Sequence, residues 1–503
     1  MLTALTTDLY QLTMAQVYYR RGLHERPAQF DHFFRSYPDY GSHQAGYCVA
    51  AGLEAFVGFV ADTAFTDDDI AYLSSLKGRS GSALFAADFL RWLRSMSFTD
   101  GITIEAVLEG RVVHANAPMT VVTGPLATAQ ILETALLNQI NYATLIATKA
   151  SRMVDSARGR PVLEFGLRRG ATGAGDVGAR AALIGGAEFT SNVSAARDAE
   201  VEPKGTHAHS LVQAMMALGE GERGAFQAYA DVYPDDCVLL VDTIDTLESG
   251  VPNAIEVFED LRSKGHEPVG IRLDSGDLAY LAVRSARMLD DAGFEGASIV
   301  LSGGLDEMSI WQILTQIDRE AARYGLDPVA LVDRLTFGVG TSLITSEGDP
   351  ALDGVYKLVA ISDGSAWQPA IKISENPMKV PNPGRKALHR LYDNRGIATA
   401  DVMSLEGEVA DDPMVLRHPI EATLLRSVSP DSLSGREVLL EVVVDEGDVR
   451  AEFPGVDELR KRRERDLDRL DEGVRRLVNP HIYHVSLSER LWDLKQALVA
   501  SPS

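Results

Sequence analysis

Val269-Gly270-Ile271-Arg272-Leu273-Asp274-Ser275-Gly276-Asp277 is the stretch on which the fold turns. Its first half is apolar and partly β-branched, the signature of a short strand. Its second half gathers a serine, a glycine and two aspartates at the strand's end. A helical pattern then runs from Asp277 to Ala292. Alternation along a strand places Arg272 and Asp274 on one face. An ion pair followed by a helix cap at Asp277 accounts for these residues. So does a site in which the arginine takes a phosphate or carboxylate and the aspartates take ribose hydroxyls or Mg²⁺ through water.

Five other runs share this design. Val162–Phe165 leads into Gly166-Leu167-Arg168-Arg169, Ala187–Thr190 into Ser191-Asn192, and Cys237–Val241 into Asp242-Thr243. Ser298–Leu301 leads into Ser302-Gly303-Gly304, and Leu335–Phe337 into Gly338-Val339-Gly340-Thr341. Helical patterns lie between them over Gly178–Ile184, Leu211–Leu218, Asn253–Lys264 and Asp306–Tyr324. Alternating strands and helices imply parallel strands buried on both faces. Chemistry at the ends of many strands favours a β/α barrel over a doubly wound sheet, which concentrates its site at one switch point.

The flanking sequence lacks this rhythm. A helix is expected over Leu5–Arg20, capped by Thr6 or Thr7, and a strand over Ala28–Phe34. Ile102–Val107 and Gly110–Val113 read as strands around a turn, and Ile131–Ala157 as a long helix broken once. Beyond residue 350, Tyr356–Ile361, Trp367–Ile373 and Glu437–Val444 read as strands and Pro377–Lys386 as a loop. Glu458–Val478 reads as a charged, solvated helix, and Val485–Val499 as a final one. The expected parts are an N-terminal α+β segment (1–115), a barrel with the site (116–350), strands completing the α+β domain (351–430) and a C-terminal extension (431–503).

The 503-residue chain suffices for two or three domains. A formal net charge of −24 argues against a nucleic-acid surface, though a local basic pocket remains compatible with an anionic substrate. Cys48 and Cys237 are the only cysteines, which suggests a reducing compartment. Met1–Gln16 carries Asp8 and no basic start, unlike a signal peptide. No apolar run reaches the roughly 18 residues of a membrane span. A cytoplasmic protein without membrane or nucleic-acid partners is expected.

Gly205-Thr206-His207-Ala208-His209-Ser210 stands at the mouth of a helix, where free N–H groups and the dipole suit a phosphate. Neutral imidazole is a nucleophile near pH 7, so His209 is a candidate phosphoryl acceptor and His207 its alternative. Taken alone, these residues read first as a capped helix start with one satisfied histidine. The glycines of 302–304 and 338–341 let N–H groups approach an anion. Phe165 beside Arg168 and Arg169 suits a flat aromatic carboxylate. Gly173-Ala174-Gly175-Asp176-Val177-Gly178 formally matches a dinucleotide-binding turn, but lies too far behind its strand. Neither a P-loop nor zinc-like Cys/His spacing occurs.

Together these residues resemble the nicotinate phosphoribosyltransferase family. The resemblance rests on Thr7-Asp8-Leu9-Tyr10-Gln11-Leu12-Thr13-Met14, Glu164–Arg169, Thr190-Ser191-Asn192-Val193, the 205–210 hexapeptide, Arg272–Asp277, Ser302–Glu307, Phe337–Thr341 and Pro383-Gly384-Arg385-Lys386, in the family's order. Phe189, where the family usually has glycine, and the glycine-rich stretch after Arg169 depart from it. The resemblance implies an irregular β/α barrel of the type II phosphoribosyltransferase kind, with a second α+β domain built from both chain ends. It implies ATP-coupled transfer of phosphoribosyl from phosphoribosyl pyrophosphate to nicotinate, with Mg²⁺, in a homodimer whose site is shared across the interface. His209 is then the phosphohistidine, and Arg272 and Asp274 complete the catalytic set. Tyr10 and Phe165 sandwich the pyridine. Arg168, Thr206 and Arg272 take its carboxylate or the ribose phosphate. Ser302, Gly303, Gly304, Gly338, Gly340 and Thr341 hold the 5′-phosphate, and Asp274 and Asp277 the ribose or metal-bound water, with Ser191 also at the substrate. The alternatives are a nicotinamide phosphoribosyltransferase and a non-catalytic nucleotide-binding protein on the same barrel. The sequence identifies no metal ligands.

Overall fold

The computed structural model describes residues 2–376, 379–409 and 412–500. They form two compact units, residues 149–347 and residues 1–148 with 348–503.

Residues 149–347 carry the regular rhythm. Six strands, β1 (Val162–Glu164), β2 (Phe189–Thr190), β3 (Val238–Leu240), β4 (Gly270–Leu273), β5 (Ser298–Leu301) and β6 (Leu335–Val339), form one parallel sheet in the order β2-β1-β6-β5-β4-β3. Apart from β2 and β3, consecutive strands lie side by side, and β6 closes back onto β1. That is the cyclic order of a barrel, opened at one seam between β2 and β3. Chain 204–207 lines both sides of the seam: the Lys204 N–H donates to the Thr190 carbonyl at 3.0 Å, and His207 Nε2 accepts the Leu240 N–H at 3.0 Å.

Helices α1 (Ala174–Ile184), α2 (Val193–Asp198), α3 (His209–Ala217), α4 (Gly221–Val232), α5 (Val251–Ser263), α6 (Leu278–Asp291) and α7 (Glu307–Glu320) fill the connections. Side chains set their starts. Asn192 Oδ1 accepts the Ser194 N–H at 3.1 Å, Asp277 Oδ1 the Tyr280 N–H at 3.1 Å and Asp306 Oδ1 the Ser309 N–H at 2.7 Å. Helices α2 and α4 were not expected. The pattern over Asp306–Tyr324 resolves into α7 and a 3₁₀ turn, Ala321–Tyr324.

Residues 1–148 and 348–503 form two larger sheets. One has seven strands in the order Trp367–Pro369, Gly354–Ser362, Pro27–Phe34, Thr120–Pro125, Thr103–Ala106, Glu441–Asp445, Asp448–Val449. The other has six: Leu425–Val428, Met414–Arg417, Val485–Ser488, Ala398–Leu405, Lys386–Asp393, Leu433–Val438. Early and late segments share the first sheet, so both chain ends are needed to complete it.

Several expectations need correction here. The long helix runs unbroken over Leu126–Ser156 and contains no glycine or proline that would break it. The first helix begins at Leu9, with Asp8 rather than Thr6 or Thr7 at its N-cap. Thr103–Ala106 and Val112–Val113 pair not with each other but with Thr120–Pro125 and Cys48–Val49. Glu437–Val444 is not one strand. Leu439 and Leu440 are both buried, which breaks the alternation, and the chain passes there from one sheet to the other. Trp367–Ile373 is a strand only to Pro369. Residues 485–499 open with strand Val485–Ser488 before helix Glu489–Ala500. Of the loop expected over Pro377–Lys386, Pro377 and Met378 lie outside the described residues, and Lys386 opens a strand.

The charged C-terminal helix ends at Asp468, and it is not wholly solvated. Asp466 turns inward, where its Oδ2 accepts from Arg111 Nε at 2.8 Å and the Val112 N–H at 2.8 Å, and pairs with Arg390 Nη1 at 3.4 Å. Arg390 in turn grips Asp401 through two 2.8 Å bonds. Single-sequence charge patterning does not reveal such partners, because they lie far away in the chain. Among the described residues no helix is long and apolar enough to cross a membrane.

Candidate active site

The strand ends of the barrel bring most of the expected residues to one rim. Phe165 follows β1, Ser191 follows β2, Asp242 stands two residues after β3, Asp274 follows β4, Ser302 follows β5 and Gly340 follows β6. Parallel strands start and end together, so residues remote in sequence gather there.

Arg272, the third residue of β4, is the hub. Its Nε donates to Ser302 Oγ at 2.8 Å, its Nη1 to Thr206 Oγ1 at 3.1 Å, and its Nη2 pairs with Asp274 Oδ1 at 2.6 Å. Ser302 Oγ also donates to Asp274 Oδ1 at 2.5 Å. The guanidinium carbon lies 5.4 Å from the Phe165 ring centre. A cation is thus fixed in orientation beside an aromatic face, as recognition of a flat anion requires.

Two glycines make this approach possible. A Cβ on Gly303 would fall 1.9 Å from the Asp274 carbonyl oxygen, and its φ is +100°. A Cβ on Gly338 would fall 2.5 Å from Phe165 Cε2. Both positions are therefore glycine for reasons of contact.

Glu164, wholly buried, holds the turn after β1. It accepts the Gly166 N–H and, at 2.6 Å, the Thr190 hydroxyl. Burial pushes its carboxyl pKa up, while those bonds and the charge of Arg168 pull it down. Arg168 itself lies on an exposed 3₁₀ turn, Leu167–Arg169. Residues 165–173 separate β1 from α1, too long a link for a dinucleotide-binding turn.

The two histidines of the hexapeptide have different surroundings. His207 is buried, accepts the Leu240 N–H at Nε2, and faces the Tyr229 ring at 5.0 Å. Burial lowers its pKa, so the neutral ring serves the seam. His209 opens α3, is partly exposed, and sets Nε2 3.0 Å from Asp242 Oδ1. Asp242 Oδ2 accepts the Asp274 N–H at 3.0 Å and the Ser275 hydroxyl at 2.6 Å. Asp242 thereby joins the hexapeptide to the Arg272–Asp277 stretch. Sequence reasoning gave it no role, although it stands at a strand end like the others.

Asp277 caps α6 and is exposed, as is Thr341. Tyr10 belongs to the other unit, where it is 47% exposed on helix Leu9–Arg20. Among the described residues no three His, Cys, Asp or Glu side chains gather as a metal cage.

Three family models match along the chain: the nicotinate phosphoribosyltransferase N-terminal domain over residues 5–141, the nicotinate phosphoribosyltransferase family over 162–395 and its C-terminal domain over 385–495. The nicotinate phosphoribosyltransferase of Bacillus subtilis is 40% identical over 98% of this chain and 94% of its own. That of Homo sapiens is 32% identical over 99% and 97%. The crystal structure of human nicotinic acid phosphoribosyltransferase superposes with a TM-score of 0.79 over 98% of this chain and 99% of that one, at 30% identity. The nicotinate-nucleotide pyrophosphorylase of Pyrococcus furiosus, 21% identical, shares the fold with a TM-score of 0.67 over 93% and 95%.

Proposed function

Since the chain belongs to the nicotinate phosphoribosyltransferase family, we propose how its residues divide the work of that reaction. The enzyme transfers phosphoribosyl from phosphoribosyl pyrophosphate to nicotinate, giving nicotinate mononucleotide and pyrophosphate, a step of NAD salvage. The pyridine nitrogen attacks ribose C1 as the C1–O bond to pyrophosphate breaks. Charge develops on the ribose ring in an oxocarbenium-like state. No side chain needs to act as nucleophile, so positioning and charge stabilisation supply the catalysis.

The observation that carries this division is the fixed Arg272 beside Phe165. Phe165 offers the pyridine a stacking face. Arg272, Thr206 and the exposed Arg168 offer donors for the nicotinate carboxylate or the adjoining phosphate. The loops 302–304 and 338–341 hold the 5′-phosphate. Ser191, whose N–H donates to the Glu164 carbonyl at 2.9 Å, offers a further contact to substrate. Tyr10, exposed on its own unit, covers the second pyridine face from the partner of a homodimer.

Mg²⁺ fits the donors present, because it binds substrate phosphates with one or two carboxylates rather than a protein cage. Asp274 and Asp277 would hold it through water, and the ion would neutralise the leaving pyrophosphate. Asp274 also keeps Arg272 in place.

ATP enters through His209. With Nε2–H donated to Asp242, the lone pair of Nδ1 is the nucleophile. Nδ1 attacks the γ-phosphorus, a P–N bond forms and ADP leaves. Later hydrolysis of that bond releases phosphate and restores the imidazole. Phosphorylation adds charge at the mouth of α3, beside the Asp242–Asp274 link, and so biases the site towards tight binding. His207 cannot share this role while its Nε2 is occupied by Leu240.

Assay of nicotinate and nicotinamide with phosphoribosyl pyrophosphate tests the base assignment. Nicotinate turnover should exceed nicotinamide turnover at least 100-fold, the order of discrimination a charged donor set supplies. Preference for nicotinamide would overturn the roles given to Arg168 and Arg272.

A further inference from the structure

The glycine-rich segment Gly173–Gly178, which does not form a dinucleotide-binding turn, packs instead against the turn that carries Phe165 and Arg168. It opens α1. A Cβ on Gly175 would fall 2.7 Å from Leu167 Cδ1, and one on Gly170 would fall 3.1 Å from the Gly175 nitrogen. A Cβ on Gly166 would fall 2.8 Å from the Gly340 carbonyl oxygen. Glycines thus let the first turn of α1 and the loop after β6 close on residues 166–170.

Backbone pairing alone fixes β2 weakly. This strand has two residues and stands at the edge of its sheet. Among the described residues it pairs with β1 alone, Phe189 with Leu163 and Thr190 with Glu164. Side chains supply the rest. Asn192, 2% exposed, donates from Nδ2 to Asp176 Oδ1 at 2.7 Å, and its N–H donates to Thr190 Oγ1 at 3.0 Å. Thr190 Oγ1 donates to Glu164 Oε2 at 2.6 Å, and Glu164 Oε1 accepts the Gly166 N–H. A chain of hydrogen bonds therefore runs from Asp176, exposed in the first turn of α1, through three buried side chains to the turn after Phe165. Ser191 lies within it. Breaking a link leaves a buried donor or acceptor unpaired, so the chain has one favoured arrangement.

We propose that Asp176 is a positioning residue for the nicotinate ring. Through Asn192, Thr190 and Glu164 it sets the orientation of the turn bearing Phe165 and Arg168, and holds Ser191 against that turn. The proposal rests on the placement of the base at Phe165. The role needs a hydrogen-bond acceptor at residue 176 and not a charge, so asparagine can fill it and alanine cannot. An acid that merely stabilises the start of a helix acts through its charge, and both substitutions would remove that.

The experiment measures steady-state kinetics with each substrate varied in turn. Asp176→Ala should raise the nicotinate KM about tenfold, while kcat and the KM for phosphoribosyl pyrophosphate change less than about threefold. Asp176→Asn should keep the nicotinate KM within about twofold of the wild type. Asp176→Ser, one bond too short to reach Asn192, serves if Asp176→Ala does not fold, as judged by its melting temperature. Equal behaviour of the alanine and asparagine variants, or a rise in both KM values together, would overturn the proposal. Phe165→Ala separates the two premises. If it leaves the nicotinate KM unchanged, the base lies elsewhere; if it raises that KM and Asp176→Ala does not, only the positioning role fails.

Discussion

His209 Nε2 lies 3.0 Å from Asp242 Oδ1, and the other oxygen of the same carboxylate accepts from both the Asp274 backbone and the Ser275 hydroxyl. One side chain thus connects the proposed phosphoacceptor with the loop that follows Arg272. Asp242→Asn offers an amide that can face His209 with its NH₂ and turn the ring to the other tautomer. Phosphohistidine formation should fall about tenfold or more, as when an orienting carboxylate is lost elsewhere. Turnover without ATP at saturating phosphoribosyl pyrophosphate should change little. Loss of both activities together would assign Asp242 to the transfer step itself.

Gly338→Ala tests the packing behind the base. The new Cβ would press on the Phe165 ring at 2.5 Å. The ring must shift, so the nicotinate KM should rise about tenfold with a smaller change in kcat. An unchanged KM would place the base away from Phe165.

Gly303→Ala combines a 1.9 Å clash with the Asp274 carbonyl and an unfavourable φ of +100°. The expected cost is about 1–3 kcal/mol of stability, read from a denaturant titration. An unaltered transition would show that this loop adapts freely.

Asp466→Ala leaves Arg111 and Arg390 in a buried site without one of their carboxylates. Removing one partner of such a pair costs about 3–5 kcal/mol. The melting temperature should fall by many degrees. A surface-like response would contradict the inward orientation of this helix.

Acid should weaken the fold before the carboxylates titrate. Burial pushes the His32 pKa down to about 4, and its ring meets Asn141 Oδ1 at 3.0 Å. Burial also lowers His114 and His207. The native state holds these rings neutral, whereas the unfolded chain protonates near 6.5. Their contribution is complete above that value and is lost as pH falls from about 6.5 towards 4. Denaturation midpoints at pH 7 and pH 5 should differ, and His32→Gln should narrow the difference. Equal midpoints would show that these rings protonate as readily in the native state as in the unfolded chain.

What the sequence disclosed follows from the range of the forces involved. The barrel strands were legible because their apolar, β-branched residues stand out, and because each run ends in polar or glycine residues such as Asp274 and Gly303. The open seam was not legible. It depends on Lys204 and His207 meeting strands 14 and 33 residues away in the chain. Asp242 was passed over because its partner is a histidine on another element. Asp466 looked solvated for the same reason: its arginines come from distant segments of the chain. The split at Leu439-Leu440 was visible as a break in alternation but gave way to the stronger β-branched pattern around it.

Incubation of the enzyme with ATP, followed by mass spectrometry under conditions that preserve phosphohistidine, tests the energy-coupling role most directly. An acid-labile phosphate should appear on His209 in the wild type, be absent from His209→Ala, and accompany ATP-stimulated formation of nicotinate mononucleotide. Phosphate on His207, or ATP stimulation that survives in His209→Ala, would contradict it.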